Sequence, residues 1–541
     1  VILDFYPETG FYTLAVPRTA PVTVKELMEE HGLDFSTRLS STDQAVLMTR
    51  EPYAAASFSA FASSAASQSL GPLLHQIERS WAADSSIRAA CPADRELWPF
   101  QRADIAYALD RRNVLVGDQP GLGKTPIAIC YANEIQAQRV LVIVPASIRL
   151  QWIRQIRNWT TMSWPYSIHG IFHSRHGVHP SANWTVLSYE LARQPAIWTA
   201  LAKLKFDLLI MDEAHYAKTI DSRRTRAIFG GGHNPVADPL ADRCERIMAL
   251  TGTPLPNRPR EAYTLSRGLC WDSIDWMSED AFRGRFNPSV KRTHEATGKV
   301  WIDERSGRHG ELQNRMRANF MTRHLKRDVM TQLKMPVYDL IQVEETGPVK
   351  QALAAEQLLD IDPETLEGAD ATVLGHIAEA RRMMGIALAP QVADYVDMLI
   401  DGGEEKIVLF AWHIEVLDIL EKRLANHRPV RVDGRTSSAG KEKAIETFQR
   451  DSRCQVIMGN TLSLGTGTDG LQHVAWHALI AEPDWTPGNN VQCFDRLDRG
   501  GQTRTVQGDI FVAPGSIAEK VLASALRKMQ TTHKALDRRI A

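Results

Sequence analysis

Gly121, Gly123, Lys124 and Thr125 stand together in the stretch Asp118-Gln-Pro-Gly-Leu-Gly-Lys-Thr125, between an apolar run (NVLVG, 113–117) and a helical stretch. Glycines at this spacing let backbone N–H groups approach phosphate oxygens, and the helix N-terminus that follows adds positive potential. A lysine here suits the β/γ-phosphates of a nucleotide, and the hydroxyl after it suits a Mg²⁺ ion. The usual pattern has glycine six residues before the lysine, where this chain has Asp118. Residues 206–215, FDLLIMDEAH, supply a second chemical group, a run of buried-strand type that ends in two adjacent carboxylates. A Mg·ATP site needs one carboxylate for the water shell of the metal and another to orient or deprotonate the attacking water. Asp212 suits the first role and Glu213 the second. Acidic pairs such as Glu29-Glu30 and Glu404-Glu405 lack the apolar run and read as solvated surface. A lone Gly-rich turn can arise by chance, but the carboxylate pair downstream, with βα units between, points to a P-loop core.

The elements that must position these groups form a rhythm of short, β-branched apolar runs, each followed by a turn and a helical stretch. They fall at 113–117, 139–145, 185–189, 206–213 and 246–251, and again at 406–412, 430–434, 455–460, 477–481 and 507–513. Near-continuous apolar strands alternating with helices imply parallel sheets covered on both faces, with ligands beyond the strand C-termini. Two such sets imply two α/β lobes, expected at 91–260 and 391–541, the second with a C-terminal helix. Residues 1–90 do not share the rhythm. They hold strand-like pieces, a short helix after Thr23, and an Ala/Ser-rich stretch at 54–68 that reads as a low-complexity linker, so a small accessory domain of its own is expected. Residues 261–390 are rich in helix formers, and 291–334 carry eleven Lys/Arg against five Asp/Glu, which predicts a helical, basic inter-lobe region.

Composition narrows the function classes. The chain has 541 residues, with 63 Lys plus Arg against 64 Asp plus Glu, a net charge of −1. A wholesale basic nucleic-acid coat is excluded, although local basic faces are not. Six cysteines lie far apart without a CxxC pair, which argues against a disulfide scaffold or zinc ribbon and suits a reducing compartment. The 17 histidines contain no HExxH, so no metal beyond Mg²⁺ is expected. No unbroken apolar run approaches the roughly 18 residues of a membrane span. Trp152, Trp271, Trp276 and Trp301 read as packing residues.

On these motifs the chain resembles the Swi/Snf-type ATPases of helicase superfamily two, from about residue 95 to 535. The resemblance implies two RecA-like P-loop NTPase lobes with helical insertions. Leu97-Trp-Pro-Phe-Gln101 is similar to the adenine-recognising segment of that family, with Gln101 as the amide that reads the base. VPASIRLQW (144–152) and LSYE (187–190) resemble motifs that grip a DNA backbone, LTGTP (250–254) the element that couples hydrolysis to DNA, and FMTRHLKRDVMTQLKMP (320–336) a segment peculiar to the family. In the second lobe FAWH (410–413), VDGRTSSAGK (432–441), GTGTDGLQ (465–472) and EPDWTPGNNVQCFDRLDRGGQT (482–503) resemble the later motifs. The resemblance implies nucleic-acid contacts at Ser147, Ser188, Thr251, Thr253 and Gly467. It also implies that Arg496 and Arg499 are the arginines that neutralise charge on the transferring phosphoryl group.

The chain departs from the family pattern at flanking positions. Gln119 and Pro120 replace an acidic residue and Met, Asp498 stands where His is common, and Thr468 and Asp469 replace small or apolar residues. The wording of GTDGLQ is closest to HARP-type annealing helicases and phage-encoded relatives. The reading is an ATP- and Mg²⁺-using, DNA-dependent ATPase that translocates on double-stranded DNA. It is expected to be a monomer outside the membrane, cytoplasmic and nucleoid-associated in a bacterial or phage-infected cell, with residues 1–90 open to a protein partner. The alternatives are a strand-separating DNA or RNA helicase and a nucleotide-gated scaffold that binds DNA or a polymerase.

Overall fold

The computed structural model describes residues 1–522, apart from 21–22, 164, 233–234, 256–257, 294–299, 305–306, 331, 335, 358–370, 466–467, 485–486 and 521; the side chains of 289–306, 371–374, 438 and 487–488 also lie outside the description. It divides into two compact units, one comprising Val1–Gln119 and Gly123–His324, the other Pro120–Leu122 and Leu325 onward.

The first unit opens on an antiparallel sheet of β1 (Ile2–Tyr6), β2 (Phe11–Pro17), β3 (Asp34–Phe35) and β4 (Gln44–Thr49), in the order β1-β2-β4-β3. Alternating burial along β4 shows one face packed and one face open, as an antiparallel sheet allows. Thr23 starts the helix Val24–His31 with a reciprocal capping box to Glu26. The Ala/Ser-rich stretch is not a linker, which corrects the sequence expectation. It folds into Pro52–Ala55, Ala56–Phe61 and the helix Ser64–Arg79, with Ala54, Ala55, Ala56 and Ala66 fully buried. Small side chains there allow close packing rather than disorder.

The main sheet of this unit is parallel, in the order β13-β5-β10-β9-β6-β8-β7. Its strands are β5 (Asn113–Val116), β6 (Val140–Val144), β7 (Ile168–Gly170), β8 (Trp184–Ser188), β9 (Phe206–Asp212), β10 (Cys244–Leu250) and β13 (Met321–Thr322). All five residues of β6 and of β8 are buried, as expected for strands covered on both faces. β11 (Ser289–Thr293) pairs antiparallel with β12 (Val300–Glu304), in a region read from sequence as helical. The β-branched SVKRT and VWI runs carry the strand signal that the surrounding helix formers obscured.

Among the described residues, part of the basic charge expected over 291–334 is not presented at the surface. Helix His309–Asn319 is buried almost throughout, and its cations are enclosed. Arg315 pairs with Glu311 (2.8 Å), Glu51 (2.6 Å) and Asp275 (2.8 Å). Arg317 lies over the Trp81 ring and donates to the Ser80 carbonyl at 3.2 Å. Arg323 and Lys326 are also buried. For these four cations, charge counted along the chain is not charge presented at the surface. Because Glu51 and Ser80 supply partners, residues 1–90 pack directly against the helix His309–Asn319.

The second unit holds a six-stranded sheet in the order β14-β19-β18-β15-β17-β16, with parallel pairing throughout. Its strands are β14 (Val337–Gln342), β15 (Ile407–Ala411), β16 (Val430–Val432), β17 (Val456–Asn460), β18 (His477–Ile480) and β19 (Gln507–Val512). One helix, Ala371–Asp401, is long and apolar enough over Gly375–Asp401 to cross a membrane by length and composition. Met384, Leu388, Val392 and Val396 on it are buried in the core against β15 and β17.

Candidate active site

β5 delivers the chain to the phosphate loop. Gly121 (φ 87°) and Gly123 (φ 74°) take left-handed backbone, the region that glycine enters without cost. A side chain at position 123 would also meet Gln101 Nε2 at 2.5 Å. Gly123 then caps helix Lys124–Glu134, so Lys124 and Thr125 occupy its first turn. The Lys124 ammonium folds back and donates to the carbonyls of Asp118 (2.7 Å) and Gln119 (3.3 Å).

β10 lies between β5 and β9, so the loop and the carboxylate pair emerge at the same edge of the sheet, two strands apart. Asp212 ends β9 and accepts the Glu213 N–H at 2.9 Å. Burial, and then the Glu213 charge, push its carboxyl up to about 6. Its other oxygen accepts the Trp152 indole N–H at 2.7 Å, and its carbonyl accepts the Tyr189 hydroxyl at 2.8 Å. Trp152, read from sequence as packing only, is buried and also orients this carboxylate. Glu213 sits at φ 50°, ψ 52°, an uncommon conformation for a residue with a side chain, and such outliers concentrate at functional sites. His215 Nδ1 lies 3.2 Å from Glu213 Oε2 and 3.0 Å from Thr251 Oγ1, and Thr251 Oγ1 accepts the Thr253 N–H at 3.1 Å. A polar chain therefore runs from the Glu213 carboxylate into the loop after β10.

The oxygen donors present fit a Mg²⁺ ion. Hard cations take carboxylate and hydroxyl oxygens, and the Asp212 carboxyl, raised by burial and by the adjacent Glu213 charge, is one that a dication would relieve. Thr125 and Asp212 are the residues that would hold it, largely through water.

Gln101 is buried. Its Oε1 accepts the Trp98 N–H at 2.9 Å, and its Nε2 lies 3.4 Å from the Gly123 carbonyl, so its amide faces the phosphate loop. Ser147 is exposed after β6, and Thr253 is half-buried. Ser188 is buried and its hydroxyl caps Tyr189–Ala192, accepting the Leu191 N–H at 3.3 Å, while Thr251 is fully buried. Gly467 lies outside the described residues.

In the second unit, Arg496 and Arg499 follow the helix Pro487–Phe494 and both donate to the Thr468 carbonyl, at 3.2 and 3.1 Å. Arg499 also lies 3.4 Å from Asp469. Thr468 and Asp469, which depart from the family pattern, thus seat both arginines. Asp498, another of the departures, has a partner as well: Lys326 pairs with it at 2.8 Å and with Asp495. Lys441, at the end of VDGRTSSAGK, donates to the Ser463 carbonyl, and burial with the Arg496 charge lowers it to about 7.

Two parallel α/β sheets, the first carrying a glycine-rich phosphate loop and an Asp-Glu pair, define a P-loop ATPase. Residues 30–347 match the SNF2-related domain and residues 391–501 the helicase conserved C-terminal domain, so this chain belongs to the SNF2-related family. Among its relatives is the DNA annealing helicase and endonuclease ZRANB3 of Homo sapiens, 29% identical over 462 residues, covering 82% of this chain and 41% of the relative. Another is the SWI/SNF-related matrix-associated actin-dependent regulator of chromatin subfamily A-like protein 1 of Xenopus laevis, 30% identical over 433 residues, covering 78% and 42%. The chain thus spans about two-fifths of the length of these relatives. The solved Sulfolobus solfataricus SWI2/SNF2 ATPase core in complex with dsDNA is similar at 16% identity with a TM-score of 0.37, covering 82% of this chain and 98% of that one.

Proposed function

We infer that this chain hydrolyses ATP with Mg²⁺ and uses the energy to move along double-stranded DNA without separating its strands. The observation that carries the reading is the polar chain Glu213–His215–Thr251–Thr253, which joins the hydrolytic carboxylate to the element the family uses to sense DNA. In the proposed reaction Lys124 and the loop N–H groups hold the β- and γ-phosphates, and Gln101 stands beside the base. Bound Mg²⁺ would neutralise charge on the phosphate oxygens. Glu213 orients the attacking water and takes its proton, while Asp212, held by Trp152, would help to hold the metal, largely through water. Arg496 and Arg499 leave the Thr468 carbonyl to meet the charge that builds on the transferring phosphoryl group. Contacts from Ser147 and Thr253 to DNA phosphates would be tolerant of sequence and sensitive to salt.

The motor is proposed to act as a monomer in a DNA-rich compartment, the cytoplasm of a bacterial or phage-infected cell, with residues 1–90 open to a protein partner. Rewinding of complementary strands, suggested by the similarity to an annealing helicase, is a secondary extension. One observation favours a second reading, strand separation: the antiparallel strand pair β11–β12, set apart from the parallel sheet, could act as a wedge at a fork. ATPase rates with double-stranded DNA, single-stranded DNA, forked DNA and RNA test the substrate class. Double-stranded DNA is expected to stimulate most; stimulation by RNA or single strands alone would contradict the reading.

A further inference from the structure

The helix Pro99–Leu109 reaches the phosphate loop at both of its ends. Gln101, in its first turn, lies 3.4 Å from the Gly123 carbonyl at the close of the loop. Asp104, one turn on, reaches Asp118 at the start of the loop through His324. Asp104 and Asp118 are fully buried and His324 is 4% exposed, so whatever charge they carry is settled among themselves.

The protons on His324 follow from its partners. Nε2 lies 3.1 Å from the Ala82 carbonyl, which requires an N–H there. Nδ1 lies 3.1 Å from Asp118 Oδ1 and 3.3 Å from Asp104 Oδ1. A lone pair at Nδ1 would face Asp118 Oδ1, an ionised acceptor, at the shorter of the two distances, so Nδ1 also carries a proton and the ring is an imidazolium. Although burial pushes it down, the two carboxylates hold His324 well above its ordinary range. The His324 main-chain N–H also donates to Asp118 Oδ1 at 2.8 Å, and the Thr322 hydroxyl donates to Asp104 Oδ1 at 2.6 Å. One cation serving two carboxylates divides them. Burial and the neighbouring Asp118 push Asp104 up to about 7; Asp118, which burial alone would raise, is drawn below the usual range by His324 and its hydrogen bonds, with Lys124 adding to the effect.

We propose that Asp104, Asp118 and His324 are positioning residues that lock the entrance of the phosphate loop and, through the Asp118 carbonyl, the resting place of Lys124. The connection is direct, because the carbonyl that receives the Lys124 ammonium at 2.7 Å belongs to the residue His324 grips. The inference deepens the proposed function and rests on the reading of Gly121–Thr125 as a nucleotide site. It also makes the two aspartates unequal. Asp104 holds a proton through much of the neutral range, with Asp118, His324 and the Thr322 hydroxyl as the groups that face it. Above about pH 7 it ionises, placing a second negative charge on the same imidazolium. Asp118 keeps its charge throughout.

Mg·ATP affinity and the steady-state ATPase of the full chain test this, with Lys124→Ala as the control for the site itself. His324→Gln and Asp118→Asn are expected to weaken nucleotide binding by about ten- to a hundredfold, the size of one charge-assisted hydrogen bond, with unchanged affinity for double-stranded DNA. His324→Arg, which keeps a cation, is expected to restore most of the loss. Asp104→Asn keeps the acceptor for Thr322 and fixes the neutral form. It is expected to bind nucleotide within about twofold of the parent at pH 6.5 and to flatten the pH dependence of binding above pH 7. A folded His324→Gln protein with unaltered nucleotide affinity would overturn the proposal, as would an Asp104→Asn loss equal to that of Asp118→Asn. A stoichiometric metal ion that is lost on His324→Gln would overturn it too, since the ion would stand in place of the Nδ1 proton. Normal nucleotide binding by Lys124→Ala would instead refute the site reading beneath it.

Discussion

Glu213→Gln is expected to bind Mg·ATP as the parent does and to hydrolyse it about 10²- to 10⁴-fold more slowly, the range for loss of a positioned general base. The amide preserves shape and cannot accept the proton of the attacking water. The backbone argues for the role as well: Glu213 takes left-handed φ, which aims its carboxylate away from the line of β9 and toward His215. Asp212 is held differently, its two oxygens fixed by the Glu213 N–H and the Trp152 indole, which suits it to a static place beside the metal rather than to accepting the proton of the water. Equilibrium nucleotide binding and single-turnover hydrolysis on the same preparation check this. Parental turnover in Glu213→Gln would remove the residue from the role of base.

Arg496→Ala and Arg499→Ala are expected to cost about 10³-fold or more in DNA-stimulated hydrolysis, as loss of an arginine that stabilises a transferring phosphoryl group does. Nucleotide affinity in the absence of DNA is expected to stay near that of the parent. The asymmetry follows from where the two guanidinium groups rest. Both donate to the Thr468 carbonyl, and Arg499 also faces Asp469, so neither is needed to hold ground-state nucleotide while seated there. Lysine substitutions keep the charge but lose the planar fork, and should recover little of the rate. Stopped-flow phosphate release with and without duplex DNA separates the two effects. An equal loss of affinity and rate would place the arginines in ground-state binding instead.

How far the sequence could be read depended on whether a signal was local. The ten apolar runs singled out from periodicity all became parallel strands, β5, β6, β8, β9, β10 and β15 to β19, because a strand buried on both faces must be apolar throughout. The short β7 and β13 and the exposed edge β14 carry no such run and could not be seen. The phosphate loop and the Asp-Glu pair were legible because glycine spacing and an apolar strand end are local features. What supports them was not. Trp152 reads as packing until its indole meets Asp212 sixty residues away, and Asp104 and His324 meet Asp118 only in the folded chain. The basic stretch 291–334 misled for the same reason, since Arg315 and Arg317 find their partners in Glu51 and Ser80, more than two hundred residues earlier.

The central claim is movement on intact duplex, and two assays on one preparation test it most directly: displacement of a triplex-forming third strand, and separation of a duplex bearing a single-stranded tail. A translocase that braces the duplex through its phosphates pushes off a third strand while leaving the base pairs beneath it closed. The account predicts ATP-dependent third-strand release that Glu213→Gln abolishes, with no processive separation of the tailed duplex. Robust unwinding of the tailed duplex without triplex displacement would contradict it, and would assign the β11–β12 strand pair the part of a strand-separating wedge.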